Sequence, residues 1–202
     1  MPADGGARRR VAAFDFDGTI THGDCLGPFL ATVVGTRRLR LALARRSPVL
    51  AATFVGLADR DAEKERLLAT LLRGHAAVDV AAAGERFAAE LARTRPFRTE
   101  MVERIAWHRA EGHAVVVVSA SLDVYLDPLA PELGVDHVIA TRLAVDERGR
   151  LTGRLDGPNV RGPEKARRLQ EWLGDERAEI WAYGNSAGDR ELLALADHPR
   201  RV

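Results

Sequence analysis

Unbroken apolar runs alternate along this chain with stretches whose apolar residues recur every three or four positions. Val11 to Phe16 is the first such run, broken only by Asp15, and it predicts a strand. Its apolar residues do not alternate with polar ones, as expected of a strand buried on both faces of a parallel sheet. Runs of the same character recur at Ala114 to Val118, Val135 to Ala140 and Glu179 to Tyr183. Helical patterns lie between them. Thr99 to Glu111 sets Met101 and Ile105 four apart and ends at Gly112. Pro163 to Leu173 opens with proline at a favoured first helical position and stops at Gly174. Strands alternating with helices predict an α/β fold, a three-layer, Rossmann-like open parallel sheet.

Residues 22–97 interrupt that alternation with helical patterns alone. In Asp61 to Arg73, Leu67, Leu68, Leu71 and Leu72 fall on one face and Gly74 ends the run. In Asp79 to Thr94, Ala83, Phe87 and Leu91 recur at i,i+4. So much helix between two neighbouring strands predicts a cap folded over one end of the sheet. The expected organisation is a core of residues 8–21 and 98–202 with a helical cap of residues 22–97. Thr141 to Leu155 predicts a β-hairpin turning at Glu147, Arg148 and Gly149.

At 202 residues, 46% apolar and 29% charged, the chain suits one ordinary globular domain with an insertion. Thirty Lys and Arg against 29 Asp and Glu leave a net charge of +1, which argues against bulk electrostatic binding of nucleic acid. The single cysteine, Cys25, excludes an internal disulfide framework and a cysteine-based zinc site. It reads as a small buried apolar residue, the six histidines as structural or surface groups, and Trp107, Trp172 and Trp181 as core anchors. The start of the chain lacks the apolar stretch of roughly 7–15 residues of a secretory signal. Pro48 to Ala58 falls short of the roughly 20 residues of a spanning helix. The expectation is a cytoplasmic protein. One segment alters the surface picture: Cys25 to Ala58 contains no acidic residue, and Arg37, Arg38, Arg40, Arg45 and Arg46 cluster beside the apolar run. Basic next to apolar suits a lipid phosphate headgroup or a membrane surface, and the blander reading is a solvated arginine face on a core helix.

Chemistry-bearing residues gather at the ends of the predicted strands, where open α/β sheets bind ligands. Asp15 and Asp17 are two apart, so an extended chain presents both carboxylates to one side, and Gly18 follows with a turn. Such a pair invites a hard divalent cation, Mg²⁺ beside phosphate oxygens, or divides labour between a nucleophile and an acid/base. Taken alone, it is equally what a turn needs. Ser119 ends the run of valines, with Ala120 and Ser121 opening a helix; a hydroxyl and free N–H groups there suit an anion, or a plain N-cap. Lys165 falls in the first turn of the helix opened by Pro163, where a cation opposes the helix dipole and wants an anionic partner, unless it is simply exposed. Asn185 and Asp189 follow the last strand as oxygen donors suited to Mg²⁺, or as a turn and a helix cap.

FDFDGTIT, VVVVSAS, GPEKARRL and AYGNSAGDRELL, in that order, resemble the four motifs of the haloacid dehalogenase (HAD) phosphatases. The helical insertion after the first motif resembles the C1-type cap of their subfamily IB, the phosphoserine-phosphatase-like branch. The resemblance covers nearly the whole chain. It implies that Asp15 attacks phosphorus to form an aspartyl-phosphate, while Asp17 protonates the leaving oxygen and then activates water. It also implies that Ser119 and Lys165 hold phosphoryl oxygens, with Gly18 and Ala120 in the phosphate-binding loops. Mg²⁺ is then bound by Asp15, the Asp17 carbonyl and Asn185, with Asp189 as a ligand or just behind one. Asp24 sits where phosphoserine phosphatases use Glu to hold the substrate amine, and Arg66 is a candidate for a serine carboxylate. The implied activity is Mg²⁺-dependent hydrolysis of a small phosphomonoester, phosphoserine-like or a lipid-headgroup phosphate.

Asn185 stands where phosphoserine phosphatases typically carry Asp; it brings an oxygen without charge, which predicts weaker metal affinity. Gly188 replaces a usual Asn, and the chain ends soon after the fourth motif, which predicts an outer sheet edge that is missing or replaced by oligomer contacts. An alternative of another class is a catalytically weak phosphate-binding or regulatory protein on the same scaffold. A receiver-type signalling domain also uses Asp, a hydroxyl, Lys and Mg²⁺, but the long insertion and the acid pair before Gly18 argue against it.

Overall fold

A computed structural model describes residues 8–54, 59–94 and 96–202, with residues 47–54 described by their backbone. In chain order the elements begin with β1 (Arg9–Phe14), α1 (Leu26–Val34), α2 (Thr36–Phe54), α3 (Arg60–Leu72) and α4 (Ala77–Thr94). There follow α5 (Thr99–Ala110), β2 (Ala114–Leu122), α6 (Asp123–Leu133), β3 (His137–Thr141), β4 (Leu143–Val145) and β5 (Leu151–Leu155). The chain closes with α7 (Pro163–Leu173), β6 (Ala178–Gly184), α8 (Arg190–Leu195) and β7 (His198–Arg201).

Five strands form one parallel sheet in the order β3-β2-β1-β6-β7. The central strand explains the unbroken apolar run. Val11 and Ala13 pack on one face with Val116, Val118, Leu169 and Ile180, whereas Ala12 and Phe14 pack on the other with Met101, Ile105, Val115 and Val117. Both faces of β1 are therefore core, and the whole run from Val11 to Phe14 is buried. The result is a Rossmann-like α/β core with a helical cap. β7 pairs with β6 and supplies the outer strand of the sheet at the edge where a gap was expected.

Residues after β1 supply the first four cap helices. Asp59 starts α3, its side chain accepting from the N–H groups of Asp61 (2.9 Å) and Ala62 (3.3 Å). α4 lies directly on α6: a Cβ at Gly84 would stand 2.0 Å from the Val124 carbonyl oxygen, so only a bare backbone permits this approach. β4 and β5 form the expected hairpin, closed by the Gly149 N–H donating to the Asp146 carbonyl at 2.9 Å. The hairpin holds the end of α3, because the Gly74 N–H donates to Leu151 O and the Ala77 N–H to Gly149 O, each at 2.8 Å.

Two expectations are corrected. Helix does not open at Ala120: β2 continues through Ser121 to Leu122, with a register shift between Ser119 and Leu122, and α6 begins at Asp123. Ser119 is thus no N-cap, because it lies inside β2 and Leu122 takes the position before α6. Trp107 is not a core anchor but 42% exposed. α5 buries Met101, Ile105 and His108 on one stripe, and Trp107 falls off it, beneath the Arg104 guanidinium at 5.5 Å. Trp172 and Trp181 are half-buried. Two histidines are structural: His108 Nδ1 meets His113 Nδ1 and His108 Nε2 meets the Tyr183 hydroxyl, both at 2.8 Å. Burial lowers His108 to about 4, so the pair stays neutral in the core.

In the basic segment, Arg37, Arg38, Arg40 and Arg45 are exposed on α2 around Leu41, itself 51% exposed. Arg46 instead turns inward to Glu63 at 2.6 Å. The side chains of Pro48 to Ala58 lie outside the described residues. Among the described residues no helix is long and apolar enough to cross a membrane.

Candidate active site

In this sheet the chain leaves β1 toward β2 and β3 on one side and reaches β6 and β7 on the other. The ends of β1 and β6 therefore flank the point where strand order reverses, and a crevice forms there. Asp15 follows β1 and enters a wide helical turn, Phe16–Ile20, kinked at Gly18 with φ +76°. The backbone at Gly18 favours glycine. It is left-handed, and a Cβ would stand 2.1 Å from Asn185 Nδ2. Arg98 secures the turn by donating to the Gly18 carbonyl at 3.0 Å.

Lys165 is buried, not exposed, and its Nζ lies 2.6 Å from both Asp15 Oδ1 and Asp189 Oδ1. The other oxygen of Asp15 accepts from the Thr19 hydroxyl at 3.0 Å. Burial pushes the Asp15 carboxyl up, Lys165 opposes the rise, and Asp189 adds to it. For Asp189, burial also raises the pKa, but Lys165 and Ser186 outweigh it and hold the carboxyl below its usual range. Its second oxygen is fully engaged, accepting from the N–H groups of Asn185 (3.2 Å) and Ser186 (2.9 Å) and from the Ser186 hydroxyl (2.8 Å). Asp189 thereby shapes the loop that lays Asn185 against Gly18.

Asp17 occupies a different environment. Its Oδ1 accepts from the Cys25 N–H at 2.9 Å and its Oδ2 from the Ser121 hydroxyl. Burial raises its pKa to about 6, with the charge of Asp24 adding to the rise. Two adjacent carboxylates thus differ in kind: Asp15 faces an ammonium, and Asp17 faces neutral donors and holds its proton far longer than a free aspartate. Burial raises both carboxyls, and Asp15 alone of the two has an ammonium in contact to favour its charged form. Ser119 is buried beside this pair, its hydroxyl accepting from the Ser121 N–H at 3.1 Å, with Ala120 between them.

The remaining candidates have other partners. Asp24 is exposed and caps α1, accepting from the Leu26 and Gly27 N–H groups at 3.3 Å. Arg66 points outward and pairs with Glu63. Cys25 is buried, and burial with the nearby Asp17 charge pushes its thiol far up, which leaves it inert. Instead α3 delivers Lys64, whose ammonium donates to the Ala120 carbonyl and to Asn159 Oδ1 (2.6 Å). Asn159 is buried and also accepts from the Thr141 hydroxyl (2.9 Å) while donating to Asp61 (2.8 Å). No signal marks Lys64 in the sequence, since it is one charge among many in a polar helix start. A cleft of about 750 Å³ reaches Asn159, lined by Asp59, Asp61 and Glu65 from the cap and by Arg154 and Arg161 from the core.

Among the described residues no three His, Cys, Asp or Glu side chains stand together as a metal cage. Asp15 and Asp189 set two carboxylates against the one ammonium of Lys165, and the Asn185 amide lies against Gly18 in the turn that Asp15 enters. An all-oxygen set with surplus negative charge fits Mg²⁺.

Residues 12–194 match the haloacid dehalogenase-like hydrolase family. Protein CicA of Caulobacter vibrioides is 36% identical over 98% of this chain and 87% of its own length. Phosphoserine phosphatase of Lactococcus lactis is 36% identical over 43% of this chain and 41% of its own. Among solved structures, a protein of unknown function from Bordetella pertussis Tohama I superposes with a TM-score of 0.77 and 27% identity, over 93% of this chain and 87% of that one. A phospho-aspartyl intermediate analogue of phosphoserine phosphatase superposes with a TM-score of 0.65 and 21% identity, over 94% and 84%. The fold, the family match and the relative aligned over nearly the whole chain converge: this chain belongs to the haloacid dehalogenase-like hydrolases and is an enzyme of the phosphatase type.

Proposed function

We propose that the chain is a Mg²⁺-dependent phosphomonoester hydrolase working through an aspartyl-phosphate, with residues 8–21 and 98–202 as its core and 22–97 as its cap. The observation that carries the reading is the contrast in contacts: Asp15 is buried against the Lys165 ammonium, whereas Asp17 accepts from the Cys25 N–H and the Ser121 hydroxyl. Asp15 attacks phosphorus, and the bond to the leaving oxygen breaks as the new O–P bond forms. Protonated Asp17 gives its proton to that oxygen. The resulting Asp17 carboxylate then takes a proton from water as the water oxygen attacks phosphorus, and the Asp15–phosphorus bond breaks to release inorganic phosphate. Lys165, the Ser119 hydroxyl and the Ala120 N–H offset charge on the phosphoryl oxygens. Asp15, Asn185 and the Asp17 carbonyl would hold Mg²⁺, with Asp189 behind them. When bound, the ion neutralises phosphoryl charge.

The substrate we assign is a small phosphorylated metabolite, phosphoserine-like or a lipid-headgroup phosphate. A membrane-surface contact is the second part of the reading, favoured by four exposed arginines around exposed Leu41 on α2. Phosphate release from p-nitrophenyl phosphate, with and without Mg²⁺, tests the chemistry. Release should require the metal and fall on the order of 10³-fold or more in Asp15→Asn. Wild-type activity in that variant would remove Asp15 as nucleophile. Phosphate uptake without turnover in the wild type would favour the binding-protein alternative.

A further inference from the structure

The geometry points to Lys64 as a positioning residue: carried by the cap, its ammonium holds the peptide between Ala120 and Ser121 in the orientation that readies both Ser119 and Asp17. The catalytic consequence rests on the phosphatase reading, whereas the structural claim does not.

The two ends of one peptide are held from opposite directions. Its carbonyl, on Ala120, accepts from Lys64 Nζ; its N–H, on Ser121, donates to Ser119 Oγ at 3.1 Å. With that N–H on one lone pair, the Ser119 hydroxyl keeps its proton free for an anion. The same orientation sends the Ser121 side chain to Asp17, where its hydroxyl donates to Oδ2. Rotating the peptide would lose the Lys64 bond and the Ser119 bond together. Lys64 is therefore connected, through one rigid planar unit, to the hydroxyl and the acid of the site.

A lysine confined this way is costly. Its ammonium is largely withdrawn from water, and burial lowers its pKa to about 8, although Asp61, Asp17 and Asp24 oppose the fall. Among the described residues both of its bonding partners are neutral oxygens. Removing a cation from water without a contacting carboxylate is unfavourable unless the surroundings enforce it. Here they do. Asn159 fixes the ammonium from the far side and is itself held by Thr141 and Asp61, so α3, β3 and the loop before α7 meet at one point. The Leu155 N–H, donating to Glu65 at 3.3 Å, seats the next residue of α3 on the hairpin. Seating of the cap thus sets the loop that faces phosphate.

Amide hydrogen exchange at Ser121 tests this, read beside kcat and KM for p-nitrophenyl phosphate in the wild type, Lys64→Met and Lys64→Arg. Ala12 and Ala13 amides report whether the sheet is intact. Lys64→Met should speed Ser121 exchange by about tenfold or more with β1 unchanged. It should also lower kcat on the order of 10²-fold with KM within about threefold, and Lys64→Arg should restore most of both. Unchanged Ser121 exchange overturns the proposal. So does a rise in KM with kcat retained, which would make Lys64 a substrate contact. If β1 exchange also rises in Lys64→Met, Lys64→Gln is compared with Lys64→Arg, and equal Ser121 exchange in those two overturns it. A wild type without turnover defeats the phosphatase reading, while the exchange result still decides the role of Lys64.

Discussion

Asn185 lies against Gly18 and brings an amide oxygen without charge to the site. Adding one negative charge there, without lengthening the side chain, should strengthen Mg²⁺ binding. Asn185→Asp is expected to lower the Mg²⁺ concentration for half-maximal activity by roughly tenfold, measured by metal titration of phosphate release. An unchanged requirement would take Asn185 out of the donor set. Asp17 sets a second expectation. Its folded pKa of about 6 lies above the ordinary 3.8, so the protonated form persists to higher pH and is lost as pH rises through 6. For an alkyl phosphate, whose leaving oxygen needs a proton, kcat should fall above about pH 6. With p-nitrophenyl phosphate, which leaves readily as an anion, the limb should flatten. Equal limbs for the two esters would deny Asp17 the role of acid.

At the scale of elements, the seam between α4 and α6 depends on a missing side chain. Alanine at a helix interior ordinarily gains about 1 kcal/mol over glycine, yet a Cβ at Gly84 would stand 2.0 Å from the Val124 carbonyl oxygen. Contact with a backbone atom cannot be relieved by rotating a side chain, so the helices must separate. Gly84→Ala should therefore destabilise the protein by about 1–3 kcal/mol in chemical denaturation. A stabilised variant would mean that the two helices do not meet so closely. α7 shows the opposite regime, in which sequence signals suffice. Proline at its start, Gly174 at its end and the buried stripe of Lys165, Leu169 and Leu173 agree with one another.

For the whole molecule, parallel order brings distant loops to one crevice, as in the Lys165–Asp15 contact across 150 residues. The basic face of α2 belongs to this scale, because its meaning depends on what the cap presents outward. The expected outcome is co-sedimentation with anionic phospholipid vesicles at low salt, reduced by raising the salt and by replacing Arg37, Arg38, Arg40 and Arg45 with Gln. Absence of binding at low salt would leave that face as solvated arginines. The inward-turned Arg46, bound to buried Glu63, is excluded from the substitution because it holds α2 to α3.

Much of the core was legible along the chain. A strand buried on both faces must be apolar at every position, which is why Val11 to Phe14 stands out. Helix ends were legible because proline and glycine act on their own backbone, as at Pro163 and Gly174. Contacts between distant segments were not. Nothing local distinguishes Lys64, which reaches Ala120, from Arg66 two residues on, which points outward; only the packing of α3 decides which way each looks. Ser119 looked like the start of a helix because Ser, Ala and Ser suit a cap. The chain stays extended to Leu122 because Lys64 and the Ser119 hydroxyl take the two ends of the next peptide. By itself the sequence determined the elements, their alternation and the acid pair before a glycine turn, since each depends on neighbours along the chain. Only the tertiary structure decided which carboxylate meets an ammonium and which meets neutral donors, because desolvation and charge contact depend on distance in space.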